Sequence, residues 1–535
     1  MSEGPTVFQR RIVIGAGLCV LAFALVGMRL AHVTLLQPLD GSRPALAIAA
    51  RADLTDRNGE LLARDLPVKD LYARPQVFWD KDQAARDLAR ATGAGEGRLL
   101  RGFHNAKSPY VLVARQVTPD VEAKVMALGL PGLEFEQGAK RFYPDGRNTA
   151  QVLGVTDPDG GGVSGLELGL QDALRRAPGG KVATSLDMRV QFIVADELAK
   201  ARAKFRANAA GAIVMDVTSG EVLALVSLPD FDPNLRKILE GDSTRNIMAQ
   251  DVYELGSIFK IFTFAMALED KTVRPDEVLP TPPGYKIGRF TIREAHRMPS
   301  AMAAKDILAQ SSNVGTLQIA LRSGGVRQRE FLSSLGLLSP LKTNLPETSR
   351  PLFPTRQWAT AETATVSYGH GISVSPLTFT AALATVVNGG RRIVPTFARQ
   401  PDGSDRRGEQ VVSEATSLKM RELLRYVVTD GTGRNADAVG YDVGGKTGTA
   451  EVPGPNGRYI RNALRSSFAA VFPVHNPRYV VMVLMDQPKA TKDTFGFATA
   501  GYTAAPQAGR IIQRIAPLLG VPNTAPPTRL AGGNT

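Results

Sequence analysis

The stretch ELGSIFKIFT, residues 254–263, places a serine and a lysine three positions apart where an apolar run begins. Residues three apart on a helix share a face, so the side chains of Ser257 and Lys260 can meet. A serine hydroxyl becomes a nucleophile when a neighbouring base takes its proton, and a lysine can do so if burial or positive neighbours lower its pKa. Alternatively, Ser257 only caps a helix. The pair alone is weak, because SPLK at 339–342 has the same spacing.

Two further motifs favour the nucleophile. SSN at 311–313 and KTG at 446–448 follow in the order S-x-x-K, S-x-N, K-T-G, a set associated with serine acyl transfer. An acyl donor that ends in a carboxylate needs a cation and hydroxyl groups on a strand edge, with its scissile carbonyl over the serine. KTG lies in a predicted strand. The motifs therefore predict a serine acyl-transfer site that uses neither metal nor cofactor.

The surrounding sequence predicts an α+β domain that begins near residue 181. Ser185 is predicted to cap a helix, and GAIVMDVTSGEVLALVS at 211–227 predicts a β-hairpin around a Gly-containing turn. Further strands are predicted at 440–452, 466–473 and 479–486, and a closing helix at 509–519. Five strands with short links imply an antiparallel sheet, which helices from 257 to 430 must cover.

The N-terminal residues predict one membrane span. Arg10 and Arg11 precede an apolar run, and we expect residues 1–11 to be a cytoplasmic tail and 12–36 to be a transmembrane anchor. The remainder of the chain is then outside the cytoplasm. A cleaved signal peptide is the alternative, because AFA at 22–24 imitates a cleavage site.

Between the anchor and residue 181 no catalytic cluster is recognisable. RADLTDRNGELLA at 51–63 predicts a hairpin turn at Asn58-Gly59, and residues 80–130 predict short helices with loops. We expect 37–180 to be a non-catalytic domain, 181–520 to be the catalytic domain, and 521–535 to be a disordered tail.

Composition excludes several functions. A chain of 535 residues is too long for one core. The net charge of +13 favours anionic surroundings, but no dense basic run interleaved with aromatics predicts nucleic-acid binding. Cys19 is the one cysteine, so no intramolecular disulfide can form. The five histidines are scattered singly, without the spacing of a zinc helix.

The motifs resemble those of a known family, the class B penicillin-binding proteins. The likeness spans about residues 40–520 and rests on YELGSIFK, SSNVGT, YGHGISVSPL and GGKTGTAE, with DRNGELLA, RFYP and SGLE upstream. It implies a peptidoglycan D,D-transpeptidase with a pedestal domain at 37–180 and a transpeptidase domain at 181–520. It also implies stem peptides as substrates, β-lactams as covalent inhibitors, and a periplasmic catalytic domain anchored in the bacterial inner membrane.

The resemblance also implies roles in the chemistry. Ser257 would be acylated and Lys260 would accept its proton. Ser311 would relay a proton to the leaving amine, and Lys446 would shape the potential around Ser311. The backbone N–H groups of Ser257 and Thr449 would form the oxyanion hole.

For substrate binding, the resemblance implies that Asn313 holds the substrate's amide. Thr447 and Thr449 would meet its terminal carboxylate, on a strand edge that includes Gly448. Tyr368 and His370 lie in the Gly-flanked SYGHGIS and are expected to shape a loop rather than to take part in the chemistry.

Three other functions are alternatives to a transpeptidase. GYDVGGKT at 440–447 matches a P-loop, but Pro453 and Pro455 follow where a helix should run. A β-lactamase shares the motifs, yet no E-x-x-L-N segment follows SSN to supply a deacylating glutamate. A β-lactam sensor would need a substantial transducing part, whereas about ten residues precede the predicted anchor.

Within class B, Asn313 favours the division-specific (FtsI-type) enzymes, because elongation enzymes commonly carry aspartate there; the elongation role is the alternative. No glycosyltransferase-like region precedes residue 185. The resemblance therefore implies an FtsW-type glycan polymerase as partner, together with other division proteins.

Overall fold

The structure is a computed structural model that describes residues 16–17, 20–28, 51–105, 107–235, 244–454, 456 and 458–524. Of the predicted anchor, only the helical residues 16–17 and 20–28 are described. In this described part of the chain, no helix has both the length and the apolar character needed to cross a membrane. The predicted cytoplasmic tail and residues 525–535 of the predicted disordered tail, 521–535, lie outside the described residues. The prediction was wrong for the start of that tail, because Val521 is buried and the Thr524 N–H donates to the Gly440 carbonyl over 2.9 Å.

The strands are β1 (Asp53–Thr55), β2 (Leu61–Ala73), β3 (Val111–Val117), β4 (Leu133–Phe142), β5 (Lys181–Ala183), β6 (Ala209–Asp216), β7 (Val222–Leu228), β8 (Val278–Pro280), β9 (Gly284–Ile287), β10 (Phe290–Arg293), β11 (Ala301–Ala303), β12 (Gly444–Pro453), β13 (Tyr459–Phe472) and β14 (Tyr479–Asp486). Among the short strands, β9 pairs with β10 and β8 with β11, both antiparallel.

The α-helices are α1 (Lys81–Thr92), α2 (Glu96–His104), α3 (Pro119–Met126), α4 (Ala150–Leu153), α5 (Gly165–Gly169), α6 (Gln171–Arg176), α7 (Met188–Phe205), α8 (Lys260–Glu269), α9 (Ala304–Ala309), α10 (Asn313–Ser334), α11 (Thr360–Ser367), α12 (Pro376–Val387), α13 (Glu414–Thr429) and α14 (Ala504–Ile515). Short 3₁₀ helices cover Pro75–Val77, Gly146–Thr149, Gly256–Phe259, Arg434–Ala436 and Lys492–Thr494.

The chain forms two compact units, and residues 67–139 belong to the first. Its core joins α1 and α2 to β3 through buried Leu88, Leu99, Phe103 and Val113. The expected short helices are present as α1, α2 and α3. Strand β3 was not expected, and it forms because its residues pair with the second half of β2.

The second unit contains residues 51–66 and 140–524. Its main sheet has the order β12-β13-β14-β6-β7, and every pair is antiparallel. This confirms the predicted five-stranded sheet and its hairpin. Successive residues of one strand enter different cores: Ile213 packs with Phe262 and Phe379, whereas Val214 packs with Ile511. Helices therefore cover both faces, which explains why the strand sequences are almost continuously apolar.

Helix α7 begins at Met188, which is two residues later than a cap at Ser185 would place its start. Its N-cap is Asp187, whose carboxylate accepts from the backbone N–H of Arg189 over 3.1 Å. The predicted serine cap was wrong, because the Ser185 hydroxyl instead donates to the Val222 carbonyl over 2.7 Å. The predicted closing helix also differs, since α14 begins at Ala504 rather than at residue 509.

The predicted turn at Asn58-Gly59 joins β1 to β2, which pair antiparallel with Leu54 opposite Ala63. Asp56 stabilises the turn, because its Oδ1 accepts from the backbone N–H groups of Asn58 at 2.7 Å and Glu60 at 2.9 Å.

A buried ion cluster explains the RFYP and SGLE motifs. Glu167 Oε2 accepts from Arg51 Nε at 2.9 Å, and Glu167 Oε1 accepts from Arg141 Nε at 2.6 Å. Asp65 accepts from the Arg51 backbone N–H at 2.8 Å and from Arg141 Nη1 at 3.2 Å. The Glu167 side chain is fully buried, and both guanidinium groups face it, as a buried carboxylate requires.

Candidate active site

The predicted nucleophile lies in a short 3₁₀ helix, Gly256–Phe259, which runs directly into α8. Side chains three residues apart on a 3₁₀ helix eclipse each other, so Ser257 and Lys260 share a face. Ser257 is partly exposed and Lys260 is fully buried. The helix-cap alternative was wrong, because Leu255 occupies the N-cap position.

Strand β12 packs its backbone against this 3₁₀ helix. A Cβ on Gly448 would lie 2.5 Å from the Leu255 carbonyl oxygen, and one on Gly256 (φ +61°) would lie 2.7 Å from the Thr449 carbonyl oxygen. Both positions therefore require glycine. The contact brings the backbone of Thr449 beside Ser257.

The SSN motif meets Lys260 between α9 and α10. Lys260 Nζ donates to the Ser311 carbonyl at 2.5 Å, to Ser311 Oγ at 3.2 Å and to Asn313 Oδ1 at 2.8 Å. Ser311 has φ +64°, a left-handed conformation that is unusual for a residue with a side chain. This backbone turn allows the carbonyl and the hydroxyl of Ser311 to face the same lysine.

The KTG motif completes the cluster from β12. Lys446 is buried, and its Nζ donates to Ser311 Oγ at 3.0 Å and to the Thr447 carbonyl at 3.1 Å. The Ser311 hydroxyl thus accepts from both lysines. Thr449 Oγ1 accepts from the backbone N–H of Ala500 at 3.1 Å. The structure brings Lys260, Ser311, Asn313 and Lys446 into one hydrogen-bonded group.

Burial sets the charge of this group. Burial, and then the positive charge of Lys446, hold the pKa of Lys260 well below its usual value, while the negative charge of Glu294 acts in the opposite direction. Burial also lowers the pKa of Lys446, to about 7. A neutral lysine that can accept a proton is therefore available near neutral pH.

Two residues of the site were not predicted. The hydroxyl groups of Thr432 and Thr447 share a hydrogen bond of 2.6 Å. Thr432 lies in the turn-rich segment TDGTG, which matches none of the three catalytic motifs. Glu294 accepts from the backbone N–H of Asn313 at 2.8 Å. An acidic residue after a short strand gave no signal, because its partner lies 19 residues away on another element.

Tyr368 and His370 lie at one side of the site. Their rings are 5.3 Å apart, and His370 also contacts the ring of Tyr459 at 5.8 Å. Glu254 holds this loop, accepting from Gly371 N–H at 2.8 Å and from the Tyr459 hydroxyl at 2.9 Å. Burial lowers the pKa of His370. These contacts are those expected of residues that shape a loop.

The competing motifs do not form sites. Lys446 and Thr447 lie inside β12, which turns into another strand, so the strand–loop–helix of a P-loop is absent from this described segment. In SPLK, Ser339 and Lys342 are exposed after the end of α10. Within the residues that the structure describes, no cluster of three or more His, Cys, Asp or Glu side chains could hold a metal ion.

Comparison with known families gives two matches. Residues 210–513 match the penicillin binding protein transpeptidase domain, and residues 47–187 match the penicillin-binding protein dimerisation domain. The first match covers the main sheet from residue 210 onward and the S-x-x-K, S-x-N and K-T-G motifs.

Curated relatives and solved structures agree with these matches. The probable peptidoglycan D,D-transpeptidase FtsI of Caulobacter vibrioides is 39% identical over 88% of this chain and 82% of the relative. The peptidoglycan D,D-transpeptidase FtsI of Escherichia coli K12 is 30% identical over 93% of this chain and 91% of the relative. A crystal structure of penicillin binding protein 3 from Mycobacterium tuberculosis, complexed with aztreonam, superposes with a TM-score of 0.70, at 28% identity over 89% of this chain and 98% of that one.

Proposed function

The chain belongs to the penicillin-binding protein transpeptidases, and on this premise we propose that it is a division-specific peptidoglycan D,D-transpeptidase, which cross-links stem peptides through a serine acyl-enzyme. The observation that carries the proposal is the convergence of Lys260 and Lys446 on the Ser311 hydroxyl, with Ser257 on the same face as Lys260.

In the acylation step, neutral Lys260 takes the hydroxyl proton of Ser257, and Ser257 Oγ attacks the carbonyl carbon of the terminal D-Ala–D-Ala bond. The backbone N–H groups of Ser257 and Thr449 stabilise the oxyanion that forms. The C–N bond then breaks. Ser311 gives its proton to the departing amine and recovers one from Lys260, which returns the lysine to its neutral form.

The substrate is held by groups around the nucleophile. Lys446 and the hydroxyl groups of Thr447 and Thr449 bind the terminal carboxylate along β12, and Gly448 lets the strand approach closely. Asn313 uses its Oδ1 to accept from Lys260. One N–H of its amide donates to the Arg293 carbonyl at 3.4 Å, and the second N–H binds the substrate's amide carbonyl. The polar groups then match a peptide that ends in a carboxylate.

The acyl-enzyme is resolved by a second stem peptide. Its amine attacks the ester carbonyl, the Ser257 Oγ–C bond breaks, and the amine proton passes through Lys260 to the serine oxygen. A β-lactam acylates Ser257 in the same way, but its cleaved amide remains attached to the acyl group. The leaving amine therefore stays in the site and the inhibitor remains bound.

We further propose the division of the chain expected from its sequence. Residues 37–180 act as a non-catalytic pedestal and 181–520 as the transpeptidase domain, in keeping with the matches at 47–187 and 210–513. Residues 12–36 anchor the chain in the inner membrane, with 1–11 in the cytoplasm and the catalytic domain in the periplasm. An FtsW-type polymerase supplies the glycan strands, since the two matched domains are a transpeptidase and a dimerisation domain.

Two measurements test the function. The purified protein should release D-alanine and form cross-linked product from a stem-peptide donor and an amine acceptor; rapid turnover of penicillin with no cross-linked product would favour a β-lactamase. Depleting the protein in growing cells should cause filamentation, which marks a block in division. Rounding or bulging would instead support the elongation role.

A further inference from the structure

Glu294 follows β10 directly, and its carboxylate is bonded to the first turn of α10. Oε1 accepts from the Ser312 hydroxyl at 2.5 Å and from the Val314 N–H at 3.1 Å, while Oε2 accepts from the Asn313 N–H at 2.8 Å. The N–H groups at a helix start have no partner within the helix. One side chain from the β9–β10 hairpin therefore holds three consecutive residues of the SSN region.

The same stretch of chain positions the base. Ser311 and Asn313 supply the three oxygen atoms within hydrogen-bond distance of Lys260 Nζ. Because Ser311 has an unfavourable left-handed backbone, its conformation persists only where neighbouring residues are fixed. Glu294 fixes the residues that follow it.

Glu294 also supplies charge. Lys260 faces Lys446 from β12, Glu294 from the hairpin, and His370 from the loop after α11. Burial and the positive charge of Lys446 lower the pKa of Lys260, and the negative charge of Glu294 raises it. The carboxylate is thus the group that limits how far the pKa of Lys260 falls.

We propose that Glu294 is a positioning residue for acylation, which locks Ser312, Asn313 and Val314 onto the hairpin and sets the charge that Lys260 faces. This inference rests on the proposed transpeptidase function, which it deepens. Glu294 does not touch the substrate. It acts through Ser311, Asn313 and Lys260.

The chain offers a matched control in Glu269. Its Oε2 accepts from the Ser413 N–H at 2.9 Å and from the Ser413 hydroxyl at 2.8 Å, and Ser413 in turn caps α13 by accepting from the Thr416 N–H. Glu269 therefore makes the same kind of helix-start contact as Glu294. It is not among the groups that shift the pKa of Lys260.

The test measures the second-order rate constant for acylation by benzylpenicillin between pH 4 and pH 10, in E294Q, E294D and E269Q. We expect E294Q to acylate about 10- to 100-fold more slowly than wild type, because its amide cannot accept all three hydrogen bonds. Its acidic limb should move to lower pH, since loss of the negative charge lowers the pKa of Lys260.

E294D keeps the charge, so its acidic limb should stay at the wild-type pH, while its shorter side chain slows acylation less than E294Q does. E269Q should match wild type in both rate and profile. Circular dichroism and thermal unfolding establish that each variant is folded. If E294Q does not fold, the comparison of E294D with E269Q decides the matter.

The proposal is overturned if E294Q, or E294D in its place, acylates like E269Q, or if E294Q is slower with an unmoved acidic limb. Failure of the wild-type protein to form any penicilloyl adduct contradicts the proposed transpeptidase function instead, so the two failures are distinguishable.

Discussion

Lys446 donates to the hydroxyl of Ser311 over 3.0 Å, although the two residues are 135 positions apart in sequence. Lys446, which we propose binds the substrate's carboxylate, is therefore hydrogen-bonded directly to Ser311, which we propose relays the proton. A substrate that engages Lys446 also alters the charge beside Ser311. Binding and proton transfer are coupled through this contact.

The pH dependence of acylation should report Lys446. With a pKa of about 7, Lys446 is a cation below that pH and becomes neutral as the pH rises through it. We expect the rate constant for acylation to fall on this alkaline side, because a neutral amine binds the inhibitor's carboxylate less well. In Lys446→Arg the acylation rate constant should stay constant to higher pH than in the wild-type protein, since a guanidinium group remains charged. Stopped-flow profiles that fall at the same pH in both proteins contradict this.

Ser257→Ala should abolish covalent labelling by fluorescent penicillin while the protein stays folded, because the acyl-enzyme forms on the hydroxyl that the substitution removes. Ser339→Ala is the control, and it should label normally since Ser339 is exposed after α10. Mass spectrometry of the labelled peptide locates the adduct. An adduct on Ser339 would show that the wrong serine has been assigned.

Lys260→Ala should slow labelling by about 10²- to 10⁴-fold, because the serine loses its proton acceptor. Lys260→Arg should be no better, since guanidinium does not deprotonate near neutral pH. The measurement is the acylation rate at saturating penicillin. Near-normal acylation in the arginine variant would mean that Lys260 acts only as a cation.

Glu167→Gln should destabilise the fold by about 3–5 kcal/mol, because it leaves buried Arg51 and Arg141 without their shared carboxylate. Thermal or denaturant unfolding measures the change. Asp172→Asn is the control: its pair with Arg176 is exposed, so its loss should cost less than about 1 kcal/mol. Equal effects of the two substitutions would mean that the buried cluster adds no stability.

The main sheet could be predicted because its strands are long apolar runs, and 211–227, 466–473 and 479–486 fall within observed strands or their hairpin. The motif residues could be predicted because their spacing is distinctive. The start of α7 could not be settled, since Ser185 and Asp187 are both good caps and only the tertiary partner of Ser185 decides between them.

The unpredicted site residues share a physical reason. Glu294 and Thr432 act through contacts with other elements. The nearest partner of Glu294 is 18 residues away in sequence, and the partner of Thr432 is 15 residues away. Both lie beside short strands or turns, where periodicity carries little information. Such contacts depend on how elements pack rather than on local sequence.

The close backbone contact between Gly448 of β12 and Leu255, called here the seam, limits how this protein can evolve under antibiotic selection. Backbone atoms fill the seam, so any side chain introduced at Gly448 or Gly256 would push the strand away from the nucleophile. Substitutions there would discriminate poorly between drug and natural substrate, because both need the same seam closed. Substitutions that separate drug from substrate are therefore expected at exposed positions of the same strand such as Glu451, whose side chain lies outside this backbone contact.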